Sequence, residues 1–310
     1  MILKSLLGIL IWGMLAPNLI AQESYDMPTS AKKILFLGNS ITYSGQYVDY
    51  IETYLRLSHP DRDWDFMNVG LPSETVSGLS EEGHAEGKFP RPDLHERLDR
   101  ILEEIKPDLI FSNYGMNDGI YLPFNEERFD AYKQGQRKLH QKALAIGAKI
   151  IHSTPPIYDE KKGAAYANVL DIYSSWLVSQ RYTENWEVID LHWPMRKFQE
   201  DQREVNPSFE LAKDGVHPAE LGHWLMARSL LQGIGEGENL TENNAQVVLG
   251  SWNQGLEVLA LVKERQSITK DALLNHIGHE RPGMKKGLPW KEVRMKRATI
   301  LNEINNLNRK

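Results

Sequence analysis

A chain of 310 residues, 41% apolar and 25% charged, can bury a full-sized core and has the make-up of an ordinary soluble domain. Its net charge of −6 comes without any basic stripe suited to a phosphate backbone, which argues against nucleic acid as a partner. It contains no cysteine, which excludes disulfides and the acylated cysteine of a bacterial lipoprotein.

The chain opens with Lys4, an almost wholly apolar run over 5–17, and a small-residue cleavage point at Ala21-Gln22. This reads as a signal peptide over 1–21. The run is shorter than the roughly 20 residues that span a bilayer, so no stable membrane insertion is expected after cleavage. Export without disulfides points to a secreted protein or to a bacterial periplasm. Asn239-Leu240-Thr241 has the form of a glycosylation sequon and carries little weight alone.

Beyond the leader, strand-like runs at 33–37, 65–69, 108–112, 149–153 and 187–190 alternate with helix-like stretches near 46–58, 94–105, 126–146 and 164–181. The helical stretches repeat apolar residues three or four apart, as a one-sided buried helix requires. Such alternation predicts an α/β domain: a five-stranded parallel sheet covered by helices on both faces. It predicts a catalytic domain over 30–238. From 239 to 310 the alternation stops, and a helical C-terminal extension is expected. Helices over 246–265 and 290–308 would flank a loop at His279-Glu280-Arg281-Pro282-Gly283, with a basic end reading as a solvated face.

Four short segments carry the chemistry: Gly38-Asn39-Ser40-Ile41-Thr42, Asn68-Val69-Gly70, Gly115-Met116-Asn117-Asp118 and Asp214-Gly215-Val216-His217-Pro218. The first three follow strands one to three, at the carboxyl edge where open parallel sheets bind ligands. The fourth precedes a helix expected to start at Pro218. A serine hydroxyl needs a base to take its proton, and the base needs a carboxylate to fix its tautomer. Ser40, His217 and Asp214 supply these. The Ser40 and Gly70 N–H groups and the Asn117 amide are the candidate oxyanion donors, with glycine at 70 allowing close approach to the ligand.

Together these segments resemble the blocks of the SGNH (GDSL-type) hydrolase superfamily, over roughly residues 33–235. The resemblance implies a flavodoxin-like three-layer α/β/α sandwich and a serine esterase. Ser40, Asp214 and His217 would form its triad, and Ser40, Gly70 and Asn117 its oxyanion hole, with no cofactor and no metal. Two positions depart from the pattern. Asn39 stands where the family usually has aspartate, and Ser73 stands where a second glycine often follows Gly70.

The resemblance leaves the substrate open among lipids, lysophospholipids, thioesters and acetylated carbohydrates. Export and the lack of a long apolar lid favour O-acetyl groups on a glycan. Asn39, Tyr43, His84 and Tyr121 are the candidate substrate-binding residues, and Tyr158 and Trp193 are further aromatics in loops near the site. A catalytically inactive glycan-binding module is the non-enzyme alternative. His276-Ile277-Gly278-His279 has metal-like spacing but lies in the extension and reads as local loop structure; His84, His95 and His223 have no ligand spacing.

Overall fold

The computed structural model describes residues 24–237 and 240–308. The leader and Asn239 lie outside the described residues.

Five parallel strands, β1 (Lys33–Gly38), β2 (Asp65–Asn68), β3 (Leu109–Asn113), β4 (Lys149–Ser153) and β5 (Glu187–Ile189), lie in the order β2-β1-β3-β4-β5. Their interiors are continuously buried, as strands covered on both faces must be. The register places Gly38 beside Asn113 and Phe36 beside Asn68, so the carboxyl ends of β1, β2 and β3 come level.

The helices are α1 (Ser40–Ser44), α2 (Gln46–Ser58), α3 (Leu94–Ile105), α4 (Glu126–Ala145), α5 (Glu160–Thr183), α6 (His192–Val205), α7 (Glu220–Gly233), α8 (Ala245–Leu249), α9 (Gly255–Ile277) and α10 (Trp290–Asn308). Helix α2 packs on α7 and α9, while α3 packs on α4, α4 on β4 and α5 on β5. The sheet is thus enclosed between helical layers, the α/β/α sandwich expected. No helix among the described residues is long and apolar enough to cross a membrane.

Three details differ from the expectation. Helix α7 starts at Glu220, two residues after Pro218, because the 214–217 turn is closed by the Asp214 side chain rather than by helical bonds. The helix expected over 246–265 is split into α8 and α9. Gln254 has φ +58°, and a Cβ on Gly255 would lie 1.9 Å from the Leu249 carbonyl oxygen, so the chain turns there. Helix α6 was not anticipated from the sequence.

The extension seals the β2 edge of the sheet. Arg265 donates to Glu52 (3.1 Å), to Asp65 (2.5 Å) and to the Phe66 carbonyl (3.3 Å). Arg297 of α10 donates to both Asp65 oxygens (2.6 and 3.0 Å) and to the same carbonyl (3.3 Å). Gln266 adds bonds to Glu52 and to Phe66. A small separate core of Val258, Val262, Ile300 and Ile304 holds α9 against α10. The amino-terminal stretch is also fixed, through Tyr25 N–H to the Gly233 carbonyl at 2.7 Å.

Candidate active site

Ser40 begins α1 directly after β1. Asn39 caps the helix by accepting the Ile41 N–H (3.1 Å), and the Ser40 N–H has no acceptor among the described residues. Gly38 permits this sharp exit, since a Cβ there would lie 2.1 Å from Thr42 Oγ1.

The far end of the domain brings the candidate base. His217 Nε2 lies 2.8 Å from Ser40 Oγ, and its Nδ1 lies 2.6 Å from Asp214 Oδ2. The other carboxylate oxygen of Asp214 accepts the N–H groups of His217 (2.8 Å) and Val216 (2.9 Å), which locks the turn and aims the ring. Partial burial works against the charge on Asp214. The backbone N–H bonds and the imidazole outweigh it and hold the carboxyl down to about 2. Both side chains of this pair are about half exposed (51% and 54%), so the site is an open surface rather than an enclosed pocket.

The expected oxyanion donors divide. Asn117 donates from Nδ2 to the Glu74 carbonyl (3.1 Å) and accepts the Tyr121 hydroxyl on Oδ1 (3.0 Å). These two bonds fix the amide orientation and leave a second N–H for another acceptor. Gly70 behaves otherwise: its N–H donates to Asn68 Oδ1 at 2.9 Å, so it is already engaged. Its glycine serves a different contact from the one expected. A Cβ would lie 2.5 Å from Tyr43 N, so the residue is small to let its loop pack on α1.

Of the candidate substrate contacts, Asn39 is corrected outright: it is fully buried and works as a helix cap. Tyr43 donates its hydroxyl to Asp271 of α9 (2.7 Å), and burial together with that carboxylate pushes the phenol up. Tyr121 is held at Asn117, with Arg91 over its ring at 5.2 Å. His84 bonds Glu81 (3.1 Å), which in turn grips Arg91 through two bonds of 2.6 Å. Tyr158 stands between Tyr121 (centroids 6.1 Å apart) and Gly215, whose Cβ position is 3.5 Å from its ring. Trp193 lies on α6 against His192 and Arg196. Ser73 does occupy a glycine-like position, at φ +68°. Among the described residues no three potential ligands gather into a metal site, and His276 pairs with Glu104 at 3.3 Å.

Sequence reasoning missed the frame beneath the site. Glu74 is fully buried and receives Arg97 through two bonds (2.6 and 2.7 Å) and the Tyr114 hydroxyl (2.7 Å). Arg97 also donates to the Val69 carbonyl at 2.8 Å, tying the Gly70 loop to α3, while Tyr114 and Asn117 tie the Glu74 loop to their own. Asp118 accepts the N–H groups of Val76, Ser77 and Gly115 (2.8, 2.8 and 2.9 Å), and burial pushes its carboxyl up to about 6 against those bonds. Asp118 lay within a quoted segment, so its type was visible but its partners were not.

A hydroxyl joined through an imidazole to a carboxylate, beside free N–H donors, is the equipment of acyl transfer. The comparisons with known proteins agree. Residues 36–225 match the GDSL-like Lipase/Acylhydrolase family. An acetylxylan esterase from Geobacillus stearothermophilus is 26% identical over 227 residues, 66% of this chain and 95% of that protein. A solved structure of an acetylxylan esterase from that organism superposes with a TM-score of 0.53 at 23% identity, covering 72% of this chain and 100% of the other. A gut microbial diltiazem-metabolizing enzyme superposes with a TM-score of 0.58 at 21% identity over 69% of this chain, which spans about half (49%) of that longer structure. The chain belongs to the GDSL-like lipase/acylhydrolase family of SGNH hydrolases and is an ester-hydrolysing serine hydrolase.

Proposed function

We propose that the enzyme removes O-acetyl groups from a carbohydrate through an acyl-enzyme on Ser40. The observation that carries the reading is the continuous path from Ser40 Oγ through His217 to Asp214, at 2.8 and 2.6 Å. His217 takes the hydroxyl proton as Ser40 attacks the ester carbonyl, and Asp214 stabilises the imidazolium. The alkoxide leaves with that proton, and water then releases acetate by the reverse proton path. The Ser40 N–H and the spare Asn117 N–H face the developing oxyanion, with Gly70 contributing only if its bond to Asn68 is exchanged. The acetylxylan esterase relative and an open, half-exposed site both support a saccharide substrate over a lipid that must be enclosed. In this reading residues 1–21 direct export, and the mature enzyme meets its glycan outside the cytoplasm.

Purified enzyme is expected to hydrolyse aryl acetate much faster than aryl octanoate and to release acetate from acetylated oligosaccharides. Ser40→Ala should lower kcat by about 10⁴-fold or more with an unchanged thermal midpoint. Faster hydrolysis of the octanoate would replace the carbohydrate reading with a lipase.

A further inference from the structure

The extension reaches the catalytic edge at two points. Tyr43 lies three residues after Ser40 and so on the same side of α1. Its hydroxyl bonds Asp271, while Lys270 sits 4.3 Å from its ring centroid and donates to its carbonyl at 2.5 Å. Past α9 the chain is strapped to α3, with Arg100 donating to the Ile277 (3.0 Å) and Gly278 (3.2 Å) carbonyls. This strap sets the Arg281 guanidinium 5.2 Å from the Phe89 ring. Phe89 packs edge-on against His84 (5.3 Å), in the loop that carries Arg91 onto Tyr121 beside Asn117. Arg281 is also near enough to Tyr43 for its charge to work against the upward push on that phenol.

Arg281 differs from the other arginines nearby. Arg91 is paired with Glu81 and Arg97 with Glu74, whereas Arg281 has no ion-pair partner among the described residues. Its Nη1 meets only the Pro282 carbonyl and the Met284 sulfur, both at 3.1 Å, and its Nε is buried without an acceptor. A partly desolvated guanidinium with unused donors is an uncompensated cost in the free protein, and an anion removes that cost.

We infer that the extension borders the open substrate surface, with Arg281 binding a carboxylate on the saccharide, so that the substrate is an acetylated acidic glycan rather than a neutral one. The inference rests on the glycan-esterase reading above. Lys285, exposed in the same loop, is near enough to Lys270 to act on its charge.

The test compares kcat/KM on acetylated oligogalacturonides and acetylated xylo-oligosaccharides, at low and high salt, for wild type, Arg281→Ala and Arg281→Lys. Wild type should favour the acidic substrate by about tenfold or more, and salt should narrow the gap. The acidic-to-neutral ratio should collapse in Arg281→Ala, mainly through KM, and be partly retained in Arg281→Lys. Equal wild-type rates, a preference that survives Arg281→Ala, or an equal loss on both substrates would overturn the inference. If wild type cleaves neutral acetyl esters without acidic preference, the esterase reading stands and this inference alone falls. No hydrolysis of any acetyl ester removes both.

Discussion

Asp214 and Glu74 are two carboxylates of one site placed in opposite surroundings. Asp214 is about half exposed, bonds residues two and three positions along the chain, and holds the ring that changes its protonation state in the proposed mechanism. Glu74 is fully buried, and the side chains it binds come from 23 and 40 residues away. It moves no proton in the proposed mechanism and holds the loops around it in place. The difference separates two tasks. A group that helps move protons stays near water, where its partner can charge and discharge at low cost. A group that only positions others is locked in the dry interior, where a lost partner is most expensive.

Breaking each carboxylate in turn sharpens this division. Asp214→Asn should reduce kcat by about 10³- to 10⁴-fold, because the imidazole loses its orienting acceptor, with little change in the urea midpoint. Because Asp214 sits at about 2, below the ordinary carboxylate range, its stabilising contribution is present above that range and lost only as pH falls toward 2. It therefore sets no activity limb near neutrality. Equal damage to folding and rate in this variant would erase the distinction.

Glu74→Ala should show the reverse weighting. Leaving Arg97 buried and unpaired should destabilise the domain by about 3–5 kcal/mol in denaturant titration. The surviving folded fraction should show a lower kcat with KM nearly unchanged, since the Asn117 loop loosens. A stability loss below about 1 kcal/mol would show that water or a rearranged side chain replaces the carboxylate.

The smallest effect belongs to a third carboxyl, Asp49, on α2 and near Lys263 and Lys270 of the extension. Burial, reinforced by Glu52, pushes it up to about 8 against the pull of Lys270 and Lys263, and its Oδ1 is buried without a partner. A folded-state value raised this way gives stability that is full below the ordinary carboxylate pKa and lost as pH rises through about 8. Asp49→Asn should therefore gain little at about pH 4 and raise the thermal midpoint by about 2–4 °C at about pH 8. A constant offset across that range would reject the assignment.

Much of the architecture was legible because it depends on local periodicity. The runs at 33–37 and 149–153 became β1 and β4, and the expected helices at 46–58 and 94–105 match α2 and α3. The meeting of Ser40, Asp214 and His217 was legible because their types and order carry a chemical meaning that spacing preserves. What was hidden depends on partners distant in sequence. Nothing near Gly70 announces that Asn68 will take its N–H, and nothing near Asn39 tells a cap from a ligand contact. The bonds of Arg265 to Glu52 cross 213 residues, so the seal on the sheet had no sequence signature.

The paired arginines over the Phe66 carbonyl have a practical consequence for anyone trimming this enzyme. They occupy an acceptor on an outer strand that would otherwise be open to a strand from a neighbouring molecule. Cutting the chain after α7, as the span matched to the family invites, would leave that strand uncovered and strip the apolar lining from α2. The shortened protein should retain its catalytic groups yet clump on concentration, and restoring α9 and α10 as a separate peptide should return it to solution.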